Sequence, residues 1–456
     1  MLTLAFETAL RSIIKTPGVS ILVTLAIALG VGITMPMVTL YHNISGNPMK
    51  ADGDKVYRVL VDNWFTDFDW SNNPEVPAEF MAGTDIRTLM SSDIPSAVAA
   101  SYSSLQYVRS ADDAVGVKPF FNEIRATSVG FFPMFGVPFE YGAVWTEEDD
   151  KAVANVAVIS SSTNLKLFGG GDNVGKEFKV GDQIYRIVGI LAPWAFTPRI
   201  YDMGPNNARP EGVYVPVSDF RRSHLRPFNF VALNEDAPTE FNQAFLATET
   251  IFAILWVKLD SIQDRDAYQD FMDSYVNEQR ELGRLPRPPN NKLYSADAWV
   301  DIAPQNVQQK QLYTAFIIVA ACFMAVCLFN LLSLLLGKFM SVTPEACVTR
   351  ALGATRMDVF LRYIFEVLLL GTVGGAISIY ISQAALQGMF WVYMDNLPEE
   401  FKQMQSQAGQ EFAYIQFDTS LLITTFILAL MAAFLSALYP AWKACSVPPA
   451  EYLKMN

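Results

Sequence analysis

VSILVTLAIALGVGITMPMVTLY, from Val19 to Tyr41, carries no charged side chain over 23 residues. A helix rises about 1.5 Å per residue, so the stretch reaches about 35 Å, enough for a hydrocarbon core of roughly 30 Å. It exceeds the apolar run of about 7–15 residues in a secretory signal and lacks a small-x-small cleavage site, so it is expected to remain as an anchor. Three further stretches share this character: LYTAFIIVAACFMAVCLFNLLSLLLG (Leu312 to Gly337), YIFEVLLLGTVGGAISIYISQAAL from Tyr363, and TSLLITTFILALMAAFLSALYPA (Thr419 to Ala441). A buried core helix has the same periodicity, but uncharged length favours four membrane spans; the third contains one carboxylate, Glu366. The composition agrees, with 51% hydrophobic residues and a mean hydropathy of +0.22 over 456 residues.

Basic residues near the span ends set the orientation. Arg11 and Lys15 precede the first span, Lys338, Arg350, Arg356 and Arg362 separate the second from the third, and Lys443 and Lys454 follow the fourth. The loop between spans three and four instead carries Asp395, Glu399, Glu400, Glu411 and Asp418 against Lys402. The organisation expected is a cytoplasmic amphipathic segment 1–18, span 19–41, an outer α+β domain 42–311, span 312–337, cytoplasmic loop 338–362, span 363–390, outer loop 391–418, span 419–441 and cytoplasmic tail 442–456. The fold class is thus an α-helical membrane protein with a large domain inserted between the first two spans. A formal charge of −13, without a basic tract, argues against a nucleic-acid partner. The four cysteines, Cys322, Cys327, Cys347 and Cys445, all lie outside the large domain, which must stand on its core and not on disulfides.

Within that domain Lys55 to Val61 alternates as an edge or half-buried strand. VAVIS reads as a buried strand, SSTNLKLF as a short helix, and Glu177 to Val180 with Ile184 to Leu191 as strands joined at Gly181-Asp182. Glu211 to Pro216 and Ile254 to Leu259 add strands, and Asp260 to Leu282 a helix. GGDNVGKEF, Gly170 to Phe178, places Gly170, Gly175 and Lys176 in register with a phosphate-binding loop, with Glu177 where a hydroxyl should hold the metal. The residues that follow alternate as strands instead of opening a helix, so a glycine-rich turn is expected, not a nucleotide site. With His42 and His224 the only histidines, a histidine-based metal site or triad has little material. The acidic runs Glu147 to Asp150 and Asp112-Asp113 lack calcium-loop spacing and read as solvated surface. FFPMFGVPFEYGAVW, Phe131 to Trp145, fits internal packing better than an exposed docking surface.

The cytoplasmic stretch TPEACVTRALGATRMDVFLRYIFEVLLLG offers Thr343 as a helix N-cap and Pro344 at the first helical position, pauses at Gly353 and resumes toward Phe360. Its segment Ala351 to Gly371 resembles the signature of permeases of the FtsX and MacB superfamily. ALRSIIKTPGVSILVTLAIALGVG, VAVISSSTNLKLFGGGDNVGKEFKVGDQIYRIVGIL and YPAWKACSVPPAEYL resemble the same family along nearly the whole chain. The resemblance implies an inner-membrane ABC transporter half of the mechanotransmission type, with both termini cytoplasmic and the large domain a periplasmic core domain. It assigns Arg350, Gly353 and Arg356 to coupling with an ATPase, and makes Glu366 the acidic position of the third span. A buried carboxylate there needs a partner, and Arg362 is the candidate by helical spacing. Gly371, Gly374 and Gly375 permit close helix approach, either within one bundle or between subunits. No cofactor is expected on this chain. ATP and Mg²⁺ belong to a separate cytosolic ABC ATPase, expected because no Walker motif precedes the first span. A second permease, identical or divergent, is the other expected partner. Tripartite export of peptides, antibiotics or other amphiphiles, with a periplasmic adaptor and an outer-membrane channel, leads the functional readings. Lipoprotein or lipid release, regulation of periplasmic partners as in the cell-division member, and peptide sensing or detoxification stay open.

Overall fold

The computed structural model describes residues 2–45, 49, 52–63, 77–111, 117–152, 154–194, 199–202, 211–217, 225–227, 250–395 and 419–447. It divides the chain into two compact units, one of Met1–Ile44, Gln308–Leu397 and Tyr414–Asn456, the other of Ser45–Val307 with Pro398–Ala413.

The second unit is built on one sheet. Its strands are β1 (Val56–Leu60), β2 (Met81–Ala82), β3 (Ala97–Ser110), β4 (Phe120–Thr127), β5 (Phe139–Gly142), β6 (Val156–Ile159), β7 (Glu177–Val180), β8 (Gln183–Leu191), β9 (Val213–Pro216), β10 (Ile251–Lys258) and β11 (Lys292–Ser295). They order as β11-β1-β10-β3-β4-β9-β6-β8-β5, with β2 on β10 and β7 joining β3 to β8. Side chains alternate across the strands, so a strand covered on both faces feeds two cores. Ala157 and Ile159 of β6 pack in one core with Tyr268 and Met272 of the helix Ile262–Glu281. Val156 and Val158 face the other, with Phe131, Phe132, Phe135 and Trp145. The aromatic run is therefore internal: Phe131 is 1% exposed and Trp145 2%.

Lys55 to Val61 is not an edge. β1 is paired on one side with β10 and on the other with β11, and Val56, Val59 and Leu60 are fully buried, because both faces of the sheet are covered and strand alternation no longer reports burial. The short helix Ser161–Phe168 starts at the Ser160 hydroxyl, which accepts from the Thr163 amide, and stops at Gly169 with φ +79°. Gly170, Gly171 and Gly175 all have positive φ, and Lys176 leads directly into β7, so the glycine run is a turn between a helix and a hairpin. Glu147 to Asp150 lie in the one-turn helix Glu147–Lys151, with Glu147 and Glu148 exposed, Asp149 and Asp150 half-buried, and Asp149 closing a capping box with Thr146. Asp112, Asp113 and His224 lie outside the described residues.

The first unit holds four helices long and apolar enough to cross a membrane: Pro17–His42, Lys310–Ser341, Arg356–Met389 and Leu422–Ser446. A helix of Leu2–Lys15 precedes the first. Pro36, inside the first span, cannot donate to the Gly32 carbonyl, and the Ser382 hydroxyl of the third span donates to that carbonyl at 3.0 Å. Glycines set the helix spacing. A Cβ on Gly371 would lie 2.9 Å from Ala433 Cβ, one on Gly375 3.0 Å from Phe426 Cδ2, and one on Gly374 3.1 Å from Ile27 Cβ. All three therefore pack the third span against the fourth and the first within one chain.

Candidate functional site

The cytoplasmic loop folds as two helical pieces. Thr343–Ala351 carries Pro344 in its first turn, but Thr343 is not its N-cap: the preceding Val342 takes that position, and the Thr343 hydroxyl donates back to the Phe339 carbonyl at 2.9 Å. The chain departs from the helix through Leu352 and Gly353, whose φ of +109° suits glycine. The next helix starts at Arg356, ahead of Phe360, because Thr355 and Asp358 cap it reciprocally: the Asp358 carboxylate accepts from the Thr355 amide at 2.9 Å, and the Thr355 hydroxyl accepts from the Asp358 amide at 3.2 Å.

Of the three residues expected to couple, Gly353 and Arg356 lie on the exposed outer surface of this turn. Arg350 is engaged inside the chain, donating from Nη1 to the carbonyls of Cys445 at 3.1 Å and Val447 at 2.8 Å, where it caps the last helix. Beside Arg356, Leu352 is 84% exposed, Met357 59% and Val348 49%, an apolar triplet on a loop otherwise pinned down. Lys15 of the N-terminal helix pairs with Glu345 at 2.9 Å on the same loop.

Glu366 is buried and paired, but not with Arg362. Lys338 Nζ lies 2.5 Å from Glu366 Oε1, the Ser12 hydroxyl donates to the same oxygen at 3.0 Å, and Lys338 donates to the Ser20 hydroxyl at 2.8 Å. Spacing of four along one helix finds neighbours on that helix, whereas Glu366 points across to the end of the second span. Arg362 Nε is buried without a hydrogen-bond partner. The signal that names Lys338 is the sole basic residue at the end of the uncharged second span, facing the sole acid of the third.

The outer domain holds a charge cluster that sequence reading missed. Arg125 on β4 is fully buried, pairs with Asp202 and Glu211, and donates to the hydroxyls of Ser101 at 3.0 Å and Ser103 at 2.9 Å. Arg199 pairs with Glu123 at 3.0 Å and reaches Glu211 at 3.5 Å. Tyr201 and Tyr214 donate to Glu211 Oε2 at 3.2 and 3.0 Å. The three carboxylates lie within 4.8 Å of one another, a spacing that could hold an ion, but two guanidiniums already bridge them. Burial pushes Asp202 and Glu211 up, and the two arginines more than reverse it, holding both below the usual carboxylate range. Burial prevails at Glu123, helped by Glu211 and Asp202 against Arg199 and Arg125, and raises it. The excess acid of three carboxylates against two arginines thus falls on Glu123, the most exposed of the three at 20%. Nearby, Arg58 lies between the rings of Trp256 and Trp299, 5.8 and 5.5 Å away, and burial lowers its guanidinium to about 10. The readable sign of the cluster was Glu123 and Arg125 alternating inside the apolar strand FFNEIRAT.

Comparison with known proteins fits this layout. The MacB-like periplasmic core domain matches residues 20–271, and the FtsX-like permease C-terminal region matches residues 317–449. The chain is 21% identical over 377 residues to a macrolide export ATP-binding/permease protein MacB of Hahella chejuensis, covering 82% of this chain and 49% of that one. It is 22% identical over 386 residues to the protein of the same description from Shewanella oneidensis, covering 81% and 49%. The chain spans about half the length of these curated relatives. Among solved structures, the periplasmic region of MacB from Actinobacillus actinomycetemcomitans aligns with a TM-score of 0.35 at 14% identity, covering 56% of this chain and 94% of that one. The four spans and the sheet domain inserted after the first, with both matches in register, make this chain a member of the family that joins a MacB-like periplasmic core domain to an FtsX-like permease region, multi-pass in the inner membrane with its large domain in the periplasm.

Proposed function

We propose that this chain is the permease subunit of an ABC transporter, receiving motion from a separate cytosolic ATPase at its cytoplasmic loop and delivering it to the periplasmic domain. The observation that carries this reading is the contrast within the loop. Its frame is fixed by Arg350, Thr355–Asp358 and Lys15–Glu345, while Leu352, Met357 and Arg356 stand out at its turn. Apolar side chains on a rigid turn, ringed by charge, suit a protein groove. ATP and Mg²⁺ would sit on the partner, and this chain would contribute no catalytic group. A second permease, identical or divergent, would supply the opposing half. The transport task proposed is export of peptides, antibiotics or other amphiphiles through a periplasmic adaptor and an outer-membrane channel, in keeping with relatives described as macrolide exporters.

Co-expression with candidate ABC ATPases, purification of the complex and measurement of its hydrolysis test this reading. The native chain should retain an ATPase and modulate its rate, and Leu352→Asp with Met357→Asp should abolish retention without affecting membrane insertion. Retention undiminished by these changes would overturn the loop as the docking site. Hydrolysis by the purified chain alone would overturn the division of labour.

A further inference from the structure

Lys338 and Glu366 form the buried charge pair of the membrane unit among the described residues, and what surrounds them is more than a pair. Ser12 belongs to the N-terminal helix, Ser20 to the start of the first span, Lys338 to the end of the second and Glu366 to the start of the third. All four are buried, at 5%, 4%, 3% and 1% exposure. One residue on, Phe339 stacks on Tyr363 with centroids 4.2 Å apart, so the same two helices are joined by charge and then by rings. The cytoplasmic loop begins immediately afterwards, with the Val342 amide bonded to the Lys338 carbonyl at 3.3 Å.

We propose that Lys338 is a positioning residue whose ammonium latches the N-terminal helix and the first span to the two spans flanking the cytoplasmic loop, so that these four elements move as one body. The physical reason is that neither ion has water to fall back on. An ammonium and a carboxylate at this depth are tolerated only together. Each makes one further hydrogen bond to a serine of another element, Ser20 of the first span for Lys338 and Ser12 of the N-terminal helix for Glu366, beside the exposed Lys15–Glu345 pair that also ties that helix to the loop. Separating the N-terminal helix from the bundle strips Ser12 from Glu366, and displacing the start of the first span strips Ser20 from Lys338. The functional consequence rests on the coupling reading above: load applied at the loop would reach the N-terminal helix and first span through this junction as well as through the flanking spans.

Ala9, fully buried in the N-terminal helix, reports the latch without taking part in it. In the full chain, with its four native cysteines replaced by alanine, Ala9→Cys is labelled with a maleimide in membranes open to the cytoplasmic side. The thiol should be protected in the parent and in Lys338→Arg, which keeps the charge. Lys338→Met should raise its labelling rate by about tenfold or more, because the helix is released locally. Exchange of the pair, Lys338→Glu with Glu366→Lys, should restore protection to within about twofold of the parent, since serine hydroxyls both donate and accept and can serve either orientation. Protection that persists in Lys338→Met, labelling that is fast in the parent, or an exchange variant that labels like Lys338→Met despite equal membrane insertion would each overturn the latch. ATPase stimulation, read on the same variants with the partner bound, separates the two ideas. A released Ala9→Cys with unaltered stimulation refutes load transfer through the junction, while loss of ATPase binding by the parent would refute only the coupling reading.

Discussion

Replacing Arg125 by Met should be among the most damaging single substitutions in the periplasmic domain. The guanidinium is fully buried and serves Asp202, Glu211, Ser101 and Ser103, so its loss leaves three carboxylates facing Arg199 alone. Stripping one partner from a buried ionic network costs about 3–5 kcal/mol. Against an ordinary domain stability of about 5–15 kcal/mol this is a large share, and for a domain of this size it lowers the melting temperature by about 6–20 °C. Six of the eight tryptophans lie between Ser45 and Val307, so tryptophan fluorescence of the full chain in detergent reports mainly this domain. The gap should depend on pH. Asp202 and Glu211 are held below their usual range in the native fold, so their contribution is complete above about pH 4.5 and is lost as pH falls through their folded values. The difference between native and variant should therefore be widest near about pH 7.5 and shrink on acidification. Adding Asp202→Asn and Glu211→Gln to the variant should recover part of the loss, because the stranded charges are then gone. A shift of less than about 2 °C near neutrality, or a gap that widens in acid, would refute the reasoning.

Glu123 predicts the opposite pH sign: its folded pKa is raised, so its contribution is present in acid and is lost as pH rises through that value, and Glu123→Gln should gain on the native chain as pH rises above the ordinary carboxylate range in the same melts. Gly371→Val should lower the thermal stability of the membrane unit by about 1–3 kcal/mol, because Ala433 already lies 2.9 Å from the Cβ it would add; differential scanning in detergent checks it, with Gly388→Ala, where a Cβ meets nothing, as the control. Ser382→Ala should cost about 0.5–2 kcal/mol by leaving the Gly32 carbonyl beside Pro36 without its donor, read in the same scan.

What was legible in the sequence were features with a period or a charge gap. The four spans show as uncharged length, and Ser161–Phe168 followed by the β7 and β8 hairpin shows as a cap, a glycine stop and an alternation. The glycine turn was separable from a phosphate loop because a strand, not a helix, had to follow it. The partner of Glu366 was not legible by spacing, since Lys338 is brought to it only when the second and third spans pack. The Arg125 cluster was hidden for the same reason: Glu123 and Arg125 share a strand, but Arg199, Asp202 and Glu211 arrive from the segments before β9. β1 was read as an edge or half-buried strand because alternation cannot distinguish a strand covered on both faces by different cores.

The central claim is that motion begun at the cytoplasmic loop reaches the periplasmic domain. Hydrogen–deuterium exchange of the chain purified with the proposed ATPase partner, compared without nucleotide and with ATP trapped by vanadate, addresses it in one measurement. Trapping should change exchange in the periplasmic sheet domain as well as around Leu352, and the periplasmic change should be absent when the Leu352→Asp, Met357→Asp chain, which no longer retains the ATPase, is mixed with the same ATPase and nucleotide. A nucleotide response confined to the ATPase and the cytoplasmic loop, with the periplasmic domain unaltered, would contradict the account.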